Sequence, residues 1–282
     1  MKIVVASGKG GTGKTTIATG LALSMAGEVK VRVIDCDVEA PDGHLFLKPS
    51  YLNKVDAIIH IPNIQVEKCT VCGRCVEICQ YHALVKVGKT IMVFPQLCHG
   101  CGSCTWNCPQ KAIIEDPRPI GVLEQGRAKN GIQYYRGLLT ISEPMPTPVI
   151  RQLKQWIVPS DNSLDILDAP PGASCSVVET LRGVDFVLLV TEPTPFGLHD
   201  LKQMVDILKE MNIPAGIIVN RDGIGGPAVE DFCKENNLPI LLRIPFDRLI
   251  AEGLAEGKPL VEISPQYVSQ FKYMFTVIKE MA

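Results

Sequence analysis

Ile3-Val4-Val5-Ala6-Ser7-Gly8-Lys9-Gly10-Gly11-Thr12-Gly13-Lys14-Thr15-Thr16 carries an apolar strand pattern into a helical one across a glycine-rich bend. The helical pattern continues with Ile17, Leu21 and Met25 spaced i, i+4, and Gly27 is placed to stop it. From Gly8 to Thr15 the bend fits G-x-x-x-x-G-K-[ST], a phosphate-binding loop. Its glycines let backbone N–H groups converge on one anion, and the dipole of the following helix adds partial positive charge. The pattern assigns Gly8, Gly10, Gly11, Thr12 and Gly13 to the cradle and Lys14 to the β- and γ-phosphates. Thr15 takes Mg²⁺ and Thr16 the α-phosphate.

Outward from the loop, Val31–Ile34 reads as a second strand ending at Asp35-Cys36-Asp37. Apolar runs at 164–167, 186–190, 216–219 and 240–242 alternate with helical patterns at 198–211 and 228–236. Such alternation predicts an α/β fold, a mostly parallel sheet with helices on both faces. Residues 120–141 read as a polar hairpin turning at Lys129-Asn130-Gly131. Between about 60 and 116 the texture changes to eight cysteines, short strands and no long helix. The expected organisation is therefore one P-loop α/β domain (1–59 and 117–282) with a small α+β module (60–116) inserted after its second strand.

The chain has 282 residues, room for about two domains. Its 46% hydrophobic and 21% charged residues suit a folded protein with a sizeable core and argue against extensive disorder. No apolar run approaches the roughly 20 residues of a membrane span, and the apolar run Ile3–Ala6 before Ser7 is too short for the apolar core of a secretory leader. A net charge of −2 gives no electrostatic reason for nucleic acid or anionic membrane as a partner. A cytoplasmic setting is expected.

Eleven cysteines without an export signal point to metal or redox chemistry rather than disulfides. Cys69-x2-Cys72-x2-Cys75-x3-Cys79 recurs as Cys98-x2-Cys101-x2-Cys104-x3-Cys108-Pro109. A cubane cluster needs four converging thiolates; C-x-x-C-x-x-C wraps a loop around three, and the fourth of each run ligates the other cluster. The reading is two 4Fe–4S clusters. Cys69, Cys72, Cys75 and Cys108 surround the first, and Cys98, Cys101, Cys104 and Cys79 the second. Zinc knuckles pair two C-x-x-C units and do not need the extra cysteines. The module resembles a bacterial two-cluster ferredoxin, with Gln80 standing where proline usually follows the fourth cysteine. Cys36, Cys175 and Cys233 remain and read as packing residues.

Lys9, a second lysine inside the loop, makes Gly8-Lys9-Gly10-Gly11-Thr12-Gly13-Lys14-Thr15-Thr16 similar to the deviant phosphate loop of the MinD/ParA/Mrp superfamily. There the early lysine reaches the partner's phosphates across a nucleotide-sandwich dimer. Asp35-Cys36-Asp37 stands where that family has its switch I aspartate, and Asp37 is favoured as the residue that orients the attacking water. Asp168-Ala169-Pro170-Pro171-Gly172 resembles the switch II pattern D-x-P-P-G, with Asp168 holding Mg²⁺ through water. Asn220 and Arg221, with Pro245 and Phe246, resemble the segments that meet adenine and close over it. Taken singly, Lys9 also suits a solvated loop, and Asp37 and Asn220 also suit turns. The resemblance covers 1–59 and 117–282. It implies ATP/ADP binding, slow, partner-stimulated and Mg²⁺-dependent hydrolysis involving Lys9, Lys14, Asp37 and Asp168, and a nucleotide-dependent homodimer.

Two chemistries on one chain point to an ATPase that gates electron transfer, or iron–sulfur or metallocluster delivery, to a partner protein. Mrp-type carriers keep a C-x-x-C near the dimer interface; this chain has none there, which favours electron transfer over transient scaffolding. The alternative is a MinD/ParA-like positioning ATPase with structural or redox-sensing clusters, which calls for a DNA or membrane surface. The closing helix, with Val268, Phe271, Phe275, Ile278 and Ala282 on one stripe, reads instead as packed. An amidating enzyme of the cobyrinic acid diamide synthase group would need a glutaminase segment for which no residues remain.

Overall fold

The computed structural model describes residues 1–160 and 162–282. β1 (Lys2–Ala6) runs into the phosphate loop and α1 (Lys14–Met25), followed by β2 (Lys30–Asp35) and the short α2 (Gly43–Leu47). β3 (Ser50–Ile64) leads to α3 (Arg74–Ile78), β4 (Leu84–Val87), β5 (Thr90–Val93) and α4 (Ser103–Trp106). The chain returns through β6 (Ile113–Arg127) and β7 (Gln133–Leu139) to α5 (Pro146–Trp156) and β8 (Ser163–Asp168). Then come α6 (Cys175–Leu181), β9 (Phe186–Thr191), α7 (Pro195–Met211), β10 (Ala215–Asp222), α8 (Ala228–Glu235) and β11 (Ile240–Pro245). α9 (Arg248–Ala255), α10 (Leu260–Ile263) and α11 (Gln266–Met281) close the chain.

Nine strands form one sheet in the order β11-β10-β9-β1-β8-β2-β7-β6-β3, parallel from β11 to β7, with β6 antiparallel to β7 and β3 antiparallel to β6. The central strands are continuously apolar because both faces are covered. Ile3 and Val5 of β1 point into the core beneath α1 and α11, whereas Val4 and Ala6 point into the one built with α5, α6 and α7. Helix α1 is buried nearly all round, so its polar residues bond back to their own helix. Thr19 Oγ1 donates to Thr15 O at 2.7 Å and Ser24 Oγ to Gly20 O at 2.8 Å.

Several details differ from the expectations. Residues 120–141 form the expected hairpin, with β6 and β7 antiparallel about Lys129–Gly131, but it is not a polar one: both strands join the main sheet, β7 lies parallel to β2, and Ile120 and Tyr134 are fully buried. Strand β3 had no counterpart in the sequence reading, because Ser50–Asp56 is exposed on both sides at the sheet edge and shows no alternation. The expected boundaries at 59/60 and 116/117 fall inside a continuous β3–β6 ribbon, where Ile59 pairs with Arg118 and His60 with Pro117. On α11 the buried stripe is Tyr267, Phe271, Met274, Phe275 and Ile278, while Ala282 is exposed. No helix among the described residues is long and apolar enough to cross a membrane.

Candidate functional site

The phosphate loop sits at the C-terminal end of β1, where a cavity of about 380 Å³ opens over the sheet. Of the loop, Gly10, Gly11, Gly13, Lys14, Thr15 and Thr16 line it, together with Asp37, Asn220, Arg221, Pro245 and Phe246. Gly8, Lys9 and Thr12 lie on the opposite side of the loop, against α7. Gly13 has a φ of 97°, and a Cβ there would stand 2.6 Å from Asn220 Nδ2, so only glycine fits. Asn220 Nδ2 in turn donates to Thr12 O at 2.7 Å, tying the end of β10 to the loop.

Acidic groups meet at the phosphate end. Thr15 Oγ1 donates to Asp168 Oδ2 at 2.5 Å, and the other oxygen, Asp168 Oδ1, is buried without a hydrogen-bond partner. One oxygen each of Asp35, Asp42 and Asp168 lie within 4.8 Å of one another. Burial pushes the Asp35 carboxyl up to about 7, against hydrogen bonds from Tyr134 and Gly43 that pull it down. Burial likewise lifts Asp37 to about 6, with Lys14 opposing it. Asp168 is raised well above the carboxylate range by burial and then by Asp35. Three crowded carboxyl groups and an unpartnered buried oxygen beside Thr15 suit a divalent cation, and Thr15, Asp35, Asp42 and Asp168 are the residues that would hold Mg²⁺.

Asp35 also anchors α2. Gly43 N–H and the Tyr134 hydroxyl both donate to Asp35 Oδ2, at 3.1 and 2.9 Å. Helix α2 then carries Phe46 to the wall of the cavity, where Phe246, Ile250, Ala251 and Leu254 complete an apolar end suited to a base. Sequence reasoning missed Asp42, Phe46 and the α9 residues. The acidic density of Asp35, Asp37 and Asp42 was the signal available for Asp42; the others come together only through the fold.

The cysteine runs occupy the far end of the ribbon and fold as near-copies. Gly73 and Gly102 take left-handed φ values of 88° and 72° just before α3 and α4. Those helices carry Cys75 and Cys104. Ala83 N–H donates to Cys79 Sγ and Ala112 N–H to Cys108 Sγ, both at 3.3 Å. Two separate cavities result. Cys69, Cys72, Cys75 and Cys108 line one; Cys79, Cys98, Cys101 and Cys104 line the other. His60, Pro62 and Glu115 of the ribbon line the second cavity and Ile64 and Ile113 the first, so the second lies nearer the main sheet. Burial raises the Cys75, Cys98 and Cys104 thiols, so thiolates there need a cationic partner. Four sulfurs per cavity, with backbone N–H groups aimed at sulfur, fit an iron–sulfur cluster. Of the remaining cysteines, Cys36 and Cys233 are core residues, and Cys175 is exposed at the start of α6 rather than packed.

A phosphate loop between a buried strand and helix of a parallel sheet, facing an aspartate on the adjacent strand end, defines a P-loop nucleotide-binding protein. Residues 3–260 match the family model of the CobQ/CobB/MinD/ParA nucleotide binding domain, and the chain belongs to that family of P-loop ATPases. It is 30% identical over 263 residues to an uncharacterized protein of Methanocaldococcus jannaschii, MJ0579, covering 93% of this chain and 92% of that one. It is 25% identical over 297 residues to the iron-sulfur cluster carrier protein of the same organism, covering 99% of this chain and 84% of the carrier. Among solved structures, the septum site-determining protein MinD of Pyrococcus horikoshii OT3, complexed with Mg-ADP, shares the fold with a TM-score of 0.61 and 18% identity. That match covers 100% of this chain and 98% of that one.

Proposed function

We propose that the chain is a Mg²⁺-dependent ATPase that couples a nucleotide-driven homodimer switch to two 4Fe–4S clusters and serves a partner protein with electrons or with the iron–sulfur unit. The observation that carries this reading is the ribbon: the strands bearing two four-cysteine cavities belong to the same sheet that holds the nucleotide cavity. Residues 60–116 are the ferredoxin-like module of this reading, and 1–59 with 117–282 its ATPase. Each cluster, when bound, supplies a one-electron redox centre. Lys14 would neutralise the β- and γ-phosphates, Thr15 and Asp168, with Asp35 and Asp42 beside them, would hold Mg²⁺, and Asp37 would orient the attacking water. Asn220, Arg221, Pro245 and Phe246 enclose the base. A change at the γ-phosphate end passes from Asp35 through its bond to Gly43 into α2, and from α2 directly into β3.

Delivery of the iron–sulfur unit is favoured by a specific feature. Cys72 and Cys101 are exposed while their neighbours Cys75, Cys98 and Cys104 are buried, so at each site an acceptor's thiolate could reach the iron held by the exposed cysteine and displace that cysteine's thiolate as the leaving ligand. The relative named as an iron-sulfur cluster carrier supports the same reading. Mixing the loaded protein with an apo-acceptor separates the two outcomes: iron leaves the chain in delivery and stays in electron transfer.

Anaerobic purification should give about eight irons per chain together with Mg–ATP hydrolysis. Lys14→Ala should weaken ATP binding about 100-fold, roughly 2.7 kcal/mol by titration calorimetry, and leave the iron content unchanged. A colourless preparation, or hydrolysis indifferent to Lys14→Ala, contradicts the proposal.

A further inference from the structure

Glu192 follows directly on β9 and is 4% exposed, a carboxylate out of water at the base of the phosphate loop. Its two oxygens are divided between two cations. Oε2 accepts from Lys9 Nζ at 3.2 Å, and Oε1 accepts from Arg221 NH1 at 2.7 Å. Arg221 also donates to Gly11 O at 3.3 Å, beside the Asn220 bond to Thr12 O. A buried carboxylate is tolerated when it is paired, and Glu192 has two partners that both extend toward solvent.

We propose that Glu192 is the positioning residue of Lys9, parking its ammonium on the loop of its own subunit in the free chain. The role rests on the sandwich-dimer reading above. Lys9 must leave Glu192 before it can meet a partner's phosphates, so the ion pair subtracts from the affinity of closure. Phosphate oxygens compete with a carboxylate for a lysine, and a triphosphate does so with more charge than a diphosphate. Arg221 stays on Glu192 when Lys9 departs, so release strands no unpaired buried charge. Arg221 also lines the nucleotide cavity, so the nucleotide and the parked lysine share one side chain.

Sedimentation velocity with a non-hydrolysable ATP analogue and Mg²⁺ tests this on wild type, Glu192→Gln, Lys9→Ala and the double variant. Glu192→Gln should tighten the dimer about tenfold. In the Lys9→Ala background the Glu192 change should do nothing, because the parked group is gone. Glu192→Asp, which keeps the charge but withdraws it by one methylene, should tighten the dimer by a smaller factor and serves if the Gln variant does not fold. A wild type that dimerises alongside Gln and Asp variants no tighter than it overturns the role of Glu192. A tightening that persists without Lys9 also overturns it. A wild type that stays monomeric with the analogue overturns the sandwich reading and this role with it.

Discussion

Asp35 shows how one buried carboxylate ties the phosphate end to the rest of the chain. It accepts from Tyr134 and Gly43 and lies within reach of Asp42 and Asp168. Burial raises its pKa from an ordinary 3.8 to about 7, so the folded state holds this proton more tightly than the unfolded chain. Without nucleotide or Mg²⁺, stability should therefore fall as pH rises from about 4 to about 7. Asp35→Asn should flatten that fall, measured as urea midpoints across the same range; a slope unaffected by the substitution would contradict the assignment. Lys14, Thr15 and Asp168 were legible in the sequence because a phosphate loop and a strand-end aspartate are local patterns. Glu192 was not, since it meets Lys9 across 183 residues and Arg221 across 29.

At the scale of elements, the two cysteine runs wrap in the same way, and each contributes its fourth cysteine to the other's cavity. That exchange makes an iron count diagnostic. Cys69→Ser with Cys108→Ser removes two ligands from one site and should leave about four irons per chain. Cys69→Ser with Cys79→Ser removes one ligand from each site and should leave markedly fewer. Equal iron in both double variants would contradict the pairing. The runs were legible because ligand spacing is written in the sequence. The β3–β6 ribbon was not: the first half of β3, at the edge of the main sheet, is exposed on both faces, so no period of two marks Ser50–Asp56 as a strand. Strands such as Phe186–Thr191 were clear because burial on both faces demands an unbroken apolar run.

For the whole molecule, topology is what relates the two ends. β2 ends at the acidic cluster, α2 is hooked to it by Asp35, and β3 departs from α2 toward the cysteines. The return strand β6 passes beside β7, which lies against β2, and the chain comes back through α5 and β8 to Asp168. Both acidic strand ends of the nucleotide site thus flank one excursion of the chain, and on the proposed reading closure at the phosphates would act on both roots of the ribbon. The central claim is that nucleotide state reaches the cysteine sites. A redox titration followed by electron paramagnetic resonance, on anaerobic protein with and without Mg–ATP, tests it most directly. Mg–ATP should move at least one midpoint potential by roughly 60 mV or more, a tenfold change for one electron. Identical potentials and spectra in the two states would contradict it.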